Sequence, residues 1–335
     1  MQEAMLYEKM TDQRVVCHLC AHECRINPAK RGICGVRENR AGVLYTMNYG
    51  MLIAENIDPI EKKPLFHVYP ASKSFSIATA GCNFSCEFCQ NHDISQLPRE
   101  SLEIPGAPTA PAEIVQRAMR TGSRTISYTY TEPTIYFEYA YDTARLAHQQ
   151  GLGNVFVTNG FMTHKTLEAI SPYLLAANVD LKSFRDDFYR KRCGARLEPV
   201  LNILRKMKDM GIWVEVTTLL IPGLNDGEDE LRDIASFIFS LGSETPWHVS
   251  RFHPRYKMSR HPATPAAAIR GAAQIGRACG LKYVYSGNIP GDEGENTFCF
   301  RCGQLLICRY GFHIKQTNLN GSACSRCGTT LDGVF

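Results

Sequence analysis

The chain has 335 residues, 44% of them hydrophobic, with 37 Lys and Arg against 33 Asp and Glu for a net charge of +4. That length buries a sizeable core, the ordinary charge content excludes wholesale disorder, and so thin a positive margin argues against a protein that coats a polyanion. No run of about 18 apolar residues exists, and Met1–Glu8 lacks the basic-then-apolar pattern of an export signal, so a cytoplasmic protein is expected.

Sulfur is the anomaly, with 14 cysteines. Clustered thiols in a reducing compartment read first as metal ligands or catalysts. In chain order, residues 1–73 form a Cys-rich extension and hairpin, with Cys17, Cys20, Cys24 and Cys34 in 1–40 and a hairpin and connecting loop over 41–73. Structural zinc is the first expectation for these four thiols. A second iron–sulfur cluster that relays electrons is the alternative, His18 and His22 are substitute ligands, and a disulfide pair is the outsider.

From 74 to 294 the reading is regular. Stretches rich in β-branched and aromatic residues at 74–80, 124–130, 154–160, 178–184, 213–220 and 246–252 predict strands. Helical periodicity fills 111–121, 133–150, 163–176, 185–210 and 226–241, and a further helix (265–279) and strand (282–287) follow. Alternation of this kind predicts a parallel sheet with right-handed crossovers. The repeats fall short of eight, so the expected fold is α/β, a partial (β/α)6 TIM-like barrel, with a doubly wound open sheet as the runner-up. In such barrels the chemistry sits after the carboxyl ends of the strands.

Directly after the first of these strands comes Cys82-Asn83-Phe84-Ser85-Cys86-Glu87-Phe88-Cys89, a C-x3-C-x2-C run with an aromatic before the third Cys. Three thiolates for the four irons of a cubane leave one iron open, and an open coordination position is a catalytic feature. A zinc or redox trio is the bland alternative.

Residues 295–335 are Gly- and Cys-rich and too short for an apolar core of their own. Cys299-x2-Cys302 and Cys324-x2-Cys327, each followed by Gly, predict two knuckles closing on one tetrahedral ion, zinc or a rubredoxin-like iron, as a zinc-ribbon-like module. Cys308 reads as a buried small residue, and Cys193 and Cys279 stand alone.

The C-x3-C-x2-C run resembles that of the radical S-adenosylmethionine (SAM) superfamily. The resemblance implies a [4Fe-4S] cluster on Cys82, Cys86 and Cys89 whose open iron is chelated by SAM, and reductive cleavage to a 5′-deoxyadenosyl radical that abstracts hydrogen. Phe88 is expected against the adenine. Tyr130-Thr131-Glu132-Pro133 stands where the family has a Gly-Gly-Glu-Pro-like loop, and Thr131 is also a candidate helix cap with Pro133 in the first turn. Thr158-Asn159 and Asp180-Leu181-Lys182 look like the ribose- and carboxylate-contacting segments of glycyl-radical activating enzymes such as pyruvate formate-lyase activase. Ile221–Asn225 is expected to wall the adenine, and Arg251 and His253 to face the mouth of the site.

Arg31–Arg40, Tyr128–Thr134, Ser286–Gly291 and the close Gly333-Val334-Phe335 together look like the radical SAM protein of the AmmeMemoRadiSam system. That likeness implies association with a Memo-like and an AMMECR1-like protein, and an electron donor such as flavodoxin or ferredoxin. It leaves three functional classes: a radical enzyme on a macromolecule (a protein glycine or RNA), one on a small molecule, and a non-enzymatic iron–sulfur carrier or scaffold.

Overall fold

The computed structural model describes residues 1–335. Its main sheet contains β1 (Met51–Pro59), β2 (Lys73–Thr79), β3 (Thr125–Tyr128), β4 (Gly153–Thr158), β5 (Ala176–Asp180), β6 (Trp213–Leu220), β7 (Trp247–Arg251) and β8 (Val284–Gly287). These lie side by side in chain order, with a short edge strand, Ala107–Pro108, beside β1. β2 to β8 are all parallel, while β1 and the edge strand are antiparallel. No pairing joins β8 to the opposite edge. Each crossover carries one main helix: α1 (Pro111–Arg120), α2 (Phe137–Gln149), α3 (His164–Ile170), α4 (Leu197–Asp209), α5 (Glu228–Leu241) and α6 (Ala266–Ala278).

Every residue of β2 after Lys73 is buried, as expected of a parallel strand covered on both faces. The helices bury one stripe each; α4 turns Leu197, Val200, Leu201, Leu204 and Met207 inward at helical spacing. The predicted helix over 185–210 is broken. A wide turn, Tyr189–Cys193, ends at Gly194, which adopts a left-handed φ of 68°, and Arg196 is extended before α4 begins. β1 also departs from the predicted hairpin and loop, because it pairs along its length with β2 and extends the main sheet.

Residues 1–46 form two small antiparallel sheets. They dock through Arg37, whose Nη1 donates to both carboxylate oxygens of Glu138 on α2 at 3.0 Å while Nη2 donates to the Met5 carbonyl. At the other end, strands Thr297–Phe298, Leu305–Tyr310 and His313–Thr317 build the tail. The tail borrows a core: Leu306, Ile307 and Leu331 cluster with Phe66, Tyr283 and Tyr285, and buried Arg309 lies over the Phe66 ring.

Glu215 on β6 fastens this junction. Its carboxylate, wholly buried, accepts from the amides of Phe66 and His67 and lies 2.6 Å from His248 Nε2. Burial pulls this carboxyl up, but His248, His67 and the amide donors outweigh it and hold it below the usual carboxylate range. Its stabilisation is therefore complete above the ordinary Glu titration range and lost as pH falls through the depressed folded value. Glu215→Ala, which strands the partners of a buried charge, is expected to cost about 3–5 kcal/mol. Urea denaturation at neutral pH checks this; an unchanged midpoint would show that the network contributes nothing.

Candidate active site

β2 runs into Gly81, whose φ of +110° and close neighbours exclude a side chain: a Cβ there would lie 2.9 Å from Val36 Cγ1. The thiol loop follows. Its backbone is pinned from several sides, with the Ser85 amide donating to the Cys193 carbonyl (2.8 Å), the Glu87 amide to the Arg192 carbonyl (3.1 Å) and Asn159 Nδ2 to Asn83 Oδ1 (2.7 Å). The wide turn ending at Gly194 exists in this setting, since it presents two successive carbonyls to the loop on either side of Cys86.

Cys82, Cys86 and Cys89 all line one cavity of about 430 Å³. Its walls include residues at or just beyond the carboxyl ends of six successive parallel strands: Thr129, Thr158, Asp180, Lys182, Leu219 and Ser250 beside the thiols. Burial raises the Cys82 and Cys89 thiols; Cys86 is raised first by the Cys193 thiol beside it and then by burial. Three such thiols ionise readily only when a cation shares the site.

Around them, Phe88 is buried, with the Lys182 ammonium 5.8 Å from its ring centre. Lys182 Nζ donates to Asp180 at 2.9 Å and is held well charged, Asp180 and the nearby thiols offsetting the opposing effect of burial. Tyr130 takes a left-handed φ of 61° at the position of the resembled Gly-Gly loop. Two bonds hold it there: its hydroxyl donates to Asp58 at 2.5 Å, and Asn91 Nδ2 donates to its carbonyl at 2.8 Å. Lys63, buried beside Asp58 and lowered to about 8 by burial, completes the cavity floor. Asp58 and Lys63 carried no sequence signal.

Glu132 acts inside the protein. Its carboxylate accepts from the Thr134 amide and hydroxyl, the Thr158 hydroxyl and the Asn159 amide, so it ties the loop after β4 to the loop after β3. It is also the helix cap, with Pro133 following, whereas Thr131 donates its hydroxyl to the Thr79 carbonyl; the expectation of Thr131 as cap is corrected. Ile221–Asn225 stays out of the cavity lining. There Asn225 binds the Lys182 and Leu219 carbonyls and shapes the loop.

Arg251 and His253 are likewise absent from the thiol cavity. They line an adjoining hollow of about 620 Å³ that shares Gln90 and Leu219 with it, and Arg251 Nε donates to the Thr264 carbonyl. Ser250 takes the cavity-facing place on β7, and side chains of successive strand residues point to opposite faces.

In the tail, the Sγ atoms of Cys299, Cys302, Cys324 and Cys327 lie within 4.8 Å of one another, with 3.7 Å separations for Cys299–Cys327 and Cys302–Cys324. Tetrahedral ligation at a metal–sulfur distance of about 2.3 Å sets sulfur pairs about 3.8 Å apart, so this geometry fits a single ion. Cys308 lies on a tail strand outside the four. Cys324→Ala is expected to make residues 295–335 susceptible to proteases while leaving Cys82, Cys86 and Cys89 and any metal they hold unchanged. Limited proteolysis with metal analysis checks this; an equally resistant tail would contradict it. Neither Cys82–Cys86–Cys89 nor the amino-terminal four is gathered within 4.8 Å.

A parallel α/β sheet with a three-thiol loop after its first parallel strand, opening on a cavity walled by the next strand ends, defines a thiolate-metal enzyme scaffold. Residues 76–238 match the family model of the Radical SAM superfamily. The chain is 49% identical over 338 residues to an uncharacterized protein of Methanocaldococcus jannaschii, MJ0808, covering 100% of both. It is 21% identical over 192 residues to the pyruvate formate-lyase-activating enzyme of Streptococcus mutans, covering 53% of this chain and 71% of that one. Among solved structures, Streptococcus suis SuiB bound to S-adenosylmethionine aligns with a TM-score of 0.51 at 12% identity, over 68% of this chain and 53% of that chain, a likeness of fold. The chain belongs to the radical SAM superfamily.

Membership implies a [4Fe-4S] cluster and SAM. The residues fit both. The three thiols face one cavity yet are spread too widely for one ion, and the same cavity holds a charged ammonium, a flat aromatic and buried polar groups. No helix is long and apolar enough to cross a membrane.

Proposed function

We propose that this chain is a radical SAM enzyme that abstracts hydrogen from a protein glycine, in the manner of an activating enzyme, with Cys82, Cys86 and Cys89 holding the [4Fe-4S] cluster. When bound, the cluster and SAM together supply one-electron cleavage of the sulfonium and a carbon radical at the adenosyl 5′ position. The observation that carries this reading is the convergence of three thiols and Lys182 on a cavity lined from six strand ends. For one cavity to touch six strands spaced about 4.8 Å apart, the sheet must curve, and the reading therefore includes a partial barrel.

The chain's own residues divide the remaining work. Lys182 offers a positive charge to the carboxylate of the methionyl group, and Phe88 offers a flat apolar face to the adenine. Glu132 sets the backbone of Thr158 and Asn159, and Tyr130-Thr131 shapes the edge nearest the cluster. The adjoining hollow, with Arg251 and His253, is the entry for substrate, and the basic loop at the end of β7, with Arg251, Arg255, Lys257 and Arg260, helps dock it. The activating-enzyme relative favours a protein substrate. A flavodoxin- or ferredoxin-class donor supplies the electron, and the single ion of the tail is zinc.

Anaerobic incubation of the iron-replete protein with SAM and dithionite tests the reading. It predicts 5′-deoxyadenosine and methionine in equal amounts, even without substrate. Iron-replete protein that yields neither would contradict it and favour a plain electron carrier.

A further inference from the structure

The amino-terminal thiols converge as well. Cys17, Cys20, Cys24 and Cys34 surround a small chamber between the first β-sheets and α2's entry turn, and Cys17, Cys20 and Cys34 are buried. All four remain thiols, unpaired by disulfides. We propose that Cys17, Cys20, Cys24 and Cys34 hold a second iron–sulfur cluster, of the four-iron cubane class, rather than a single zinc ion.

One ion about 2.3 Å from each of four sulfurs cannot leave any two of them more than about 4.6 Å apart. The tail thiols satisfy that limit; the amino-terminal four do not come within 4.8 Å of one another. They share this wider spread with Cys82, Cys86 and Cys89, the set that ligates a cubane in this superfamily. A polynuclear core puts a different iron behind each thiolate and so spreads its ligands further apart.

Arg37 lines the chamber and is 1% exposed; Nη1 and Nη2 are engaged by Glu138 and Met5, but Nε has no partner. A buried N–H without an acceptor is costly, and the sulfur of a four-thiolate cluster with net negative charge supplies one.

The place of the chamber gives it a purpose, which rests on the radical SAM reading above. Cys34's carbonyl oxygen would lie 3.5 Å from a Cβ on Gly81, the residue before Cys82, and His22 Nε2 lies 2.9 Å from the Asn83 carbonyl. One layer of backbone separates the two thiol sets. A cluster held by these thiols would be placed to take one electron from a low-potential donor of the flavodoxin or ferredoxin class and hand it to the cluster held by Cys82, Cys86 and Cys89, returning to its own oxidised state.

The test is metal and sulfide analysis of anaerobically reconstituted full-length protein in which Cys82, Cys86 and Cys89 are all changed to Ala. The proposal predicts about four irons and four acid-labile sulfides per chain, and an electron paramagnetic resonance signal on dithionite reduction. No sulfide, with zinc rising to about two per chain, would overturn it. Should that variant fail to fold, the unaltered holoprotein decides: about eight irons support the proposal and about four overturn it, provided SAM cleavage shows the active-site cluster to be present. Failure of the radical SAM reading would look different, as unaltered, iron-replete holoprotein that cleaves no SAM whatever iron the triple variant retains.

Discussion

Anaerobically purified Cys86→Ala protein is expected to lose the iron held by the Cys82–Cys89 loop and to cleave no SAM above the uncatalysed background. The expectation follows from ligand number. Three thiols share the cavity, and removal of one leaves two, too few to hold a cubane against loss of iron to solvent. Cys86 sits at the centre of the pinned segment, flanked by the amide bonds that Ser85 and Glu87 make to the wide turn. The Cys193 thiol neighbours it and is a candidate replacement ligand. A Cys86→Ala, Cys193→Ala double variant therefore belongs beside the single one. Iron analysis with 5′-deoxyadenosine detection reads both, and residual cleavage in the double variant would refute Cys86 as an iron ligand.

Lys182→Met is expected to weaken SAM binding roughly 10- to 100-fold, the equivalent of losing one charge-assisted hydrogen bond of about 1.5–3 kcal/mol, with cluster content unchanged. The side chain is recessed, at 14% exposure, and is directed into the cavity beside Phe88. Asp180, its partner, is 37% exposed and stays hydrated when the lysine is gone, so the fold is expected to tolerate the change. Equilibrium dialysis with SAM measures the effect. An unchanged affinity would make Lys182 a partner for Asp180 and nothing more.

Much of the framework was legible because it is periodic. The strand stretches from 74–80 to 246–252 and the helices between them correspond to β2–β7 and α1–α5. The strands announced themselves through β-branched and aromatic residues, and the crossover helices through apolar positions at helical spacing. The C-x3-C-x2-C loop was legible because all its ligands are local. Where recognition depends on residues far apart in the chain, the pattern fell silent. Nothing in the sequence around Cys193 places its thiol beside Cys86, or brings Asp58 and Lys63 under Tyr130. The break before α4 was hidden because Gly194 sits in an otherwise helical composition, and only its contacts with the thiol loop explain the turn.

Arg251 and His253 stand at and just after the end of β7 and line the adjoining hollow, while the alternation of the strand gives the thiol cavity to Ser250 and Arg251 Nε donates to the Thr264 carbonyl. The tail teaches the complementary lesson. A segment too short for a core of its own does have apolar support, supplied by Phe66, Tyr283 and Tyr285 from elements that precede it in the chain.

The central claim is that one iron at the Cys82–Cys86–Cys89 site is left free for SAM, with Cys193 buried outside the cavity lining. Electron–nuclear double resonance on the reduced protein with SAM labelled by 15N at the methionyl amine and 17O at its carboxylate addresses this directly. The account predicts couplings from both labels to the cluster. Absence of both couplings in protein that carries the cluster, with four cysteine ligands in its place, would contradict it.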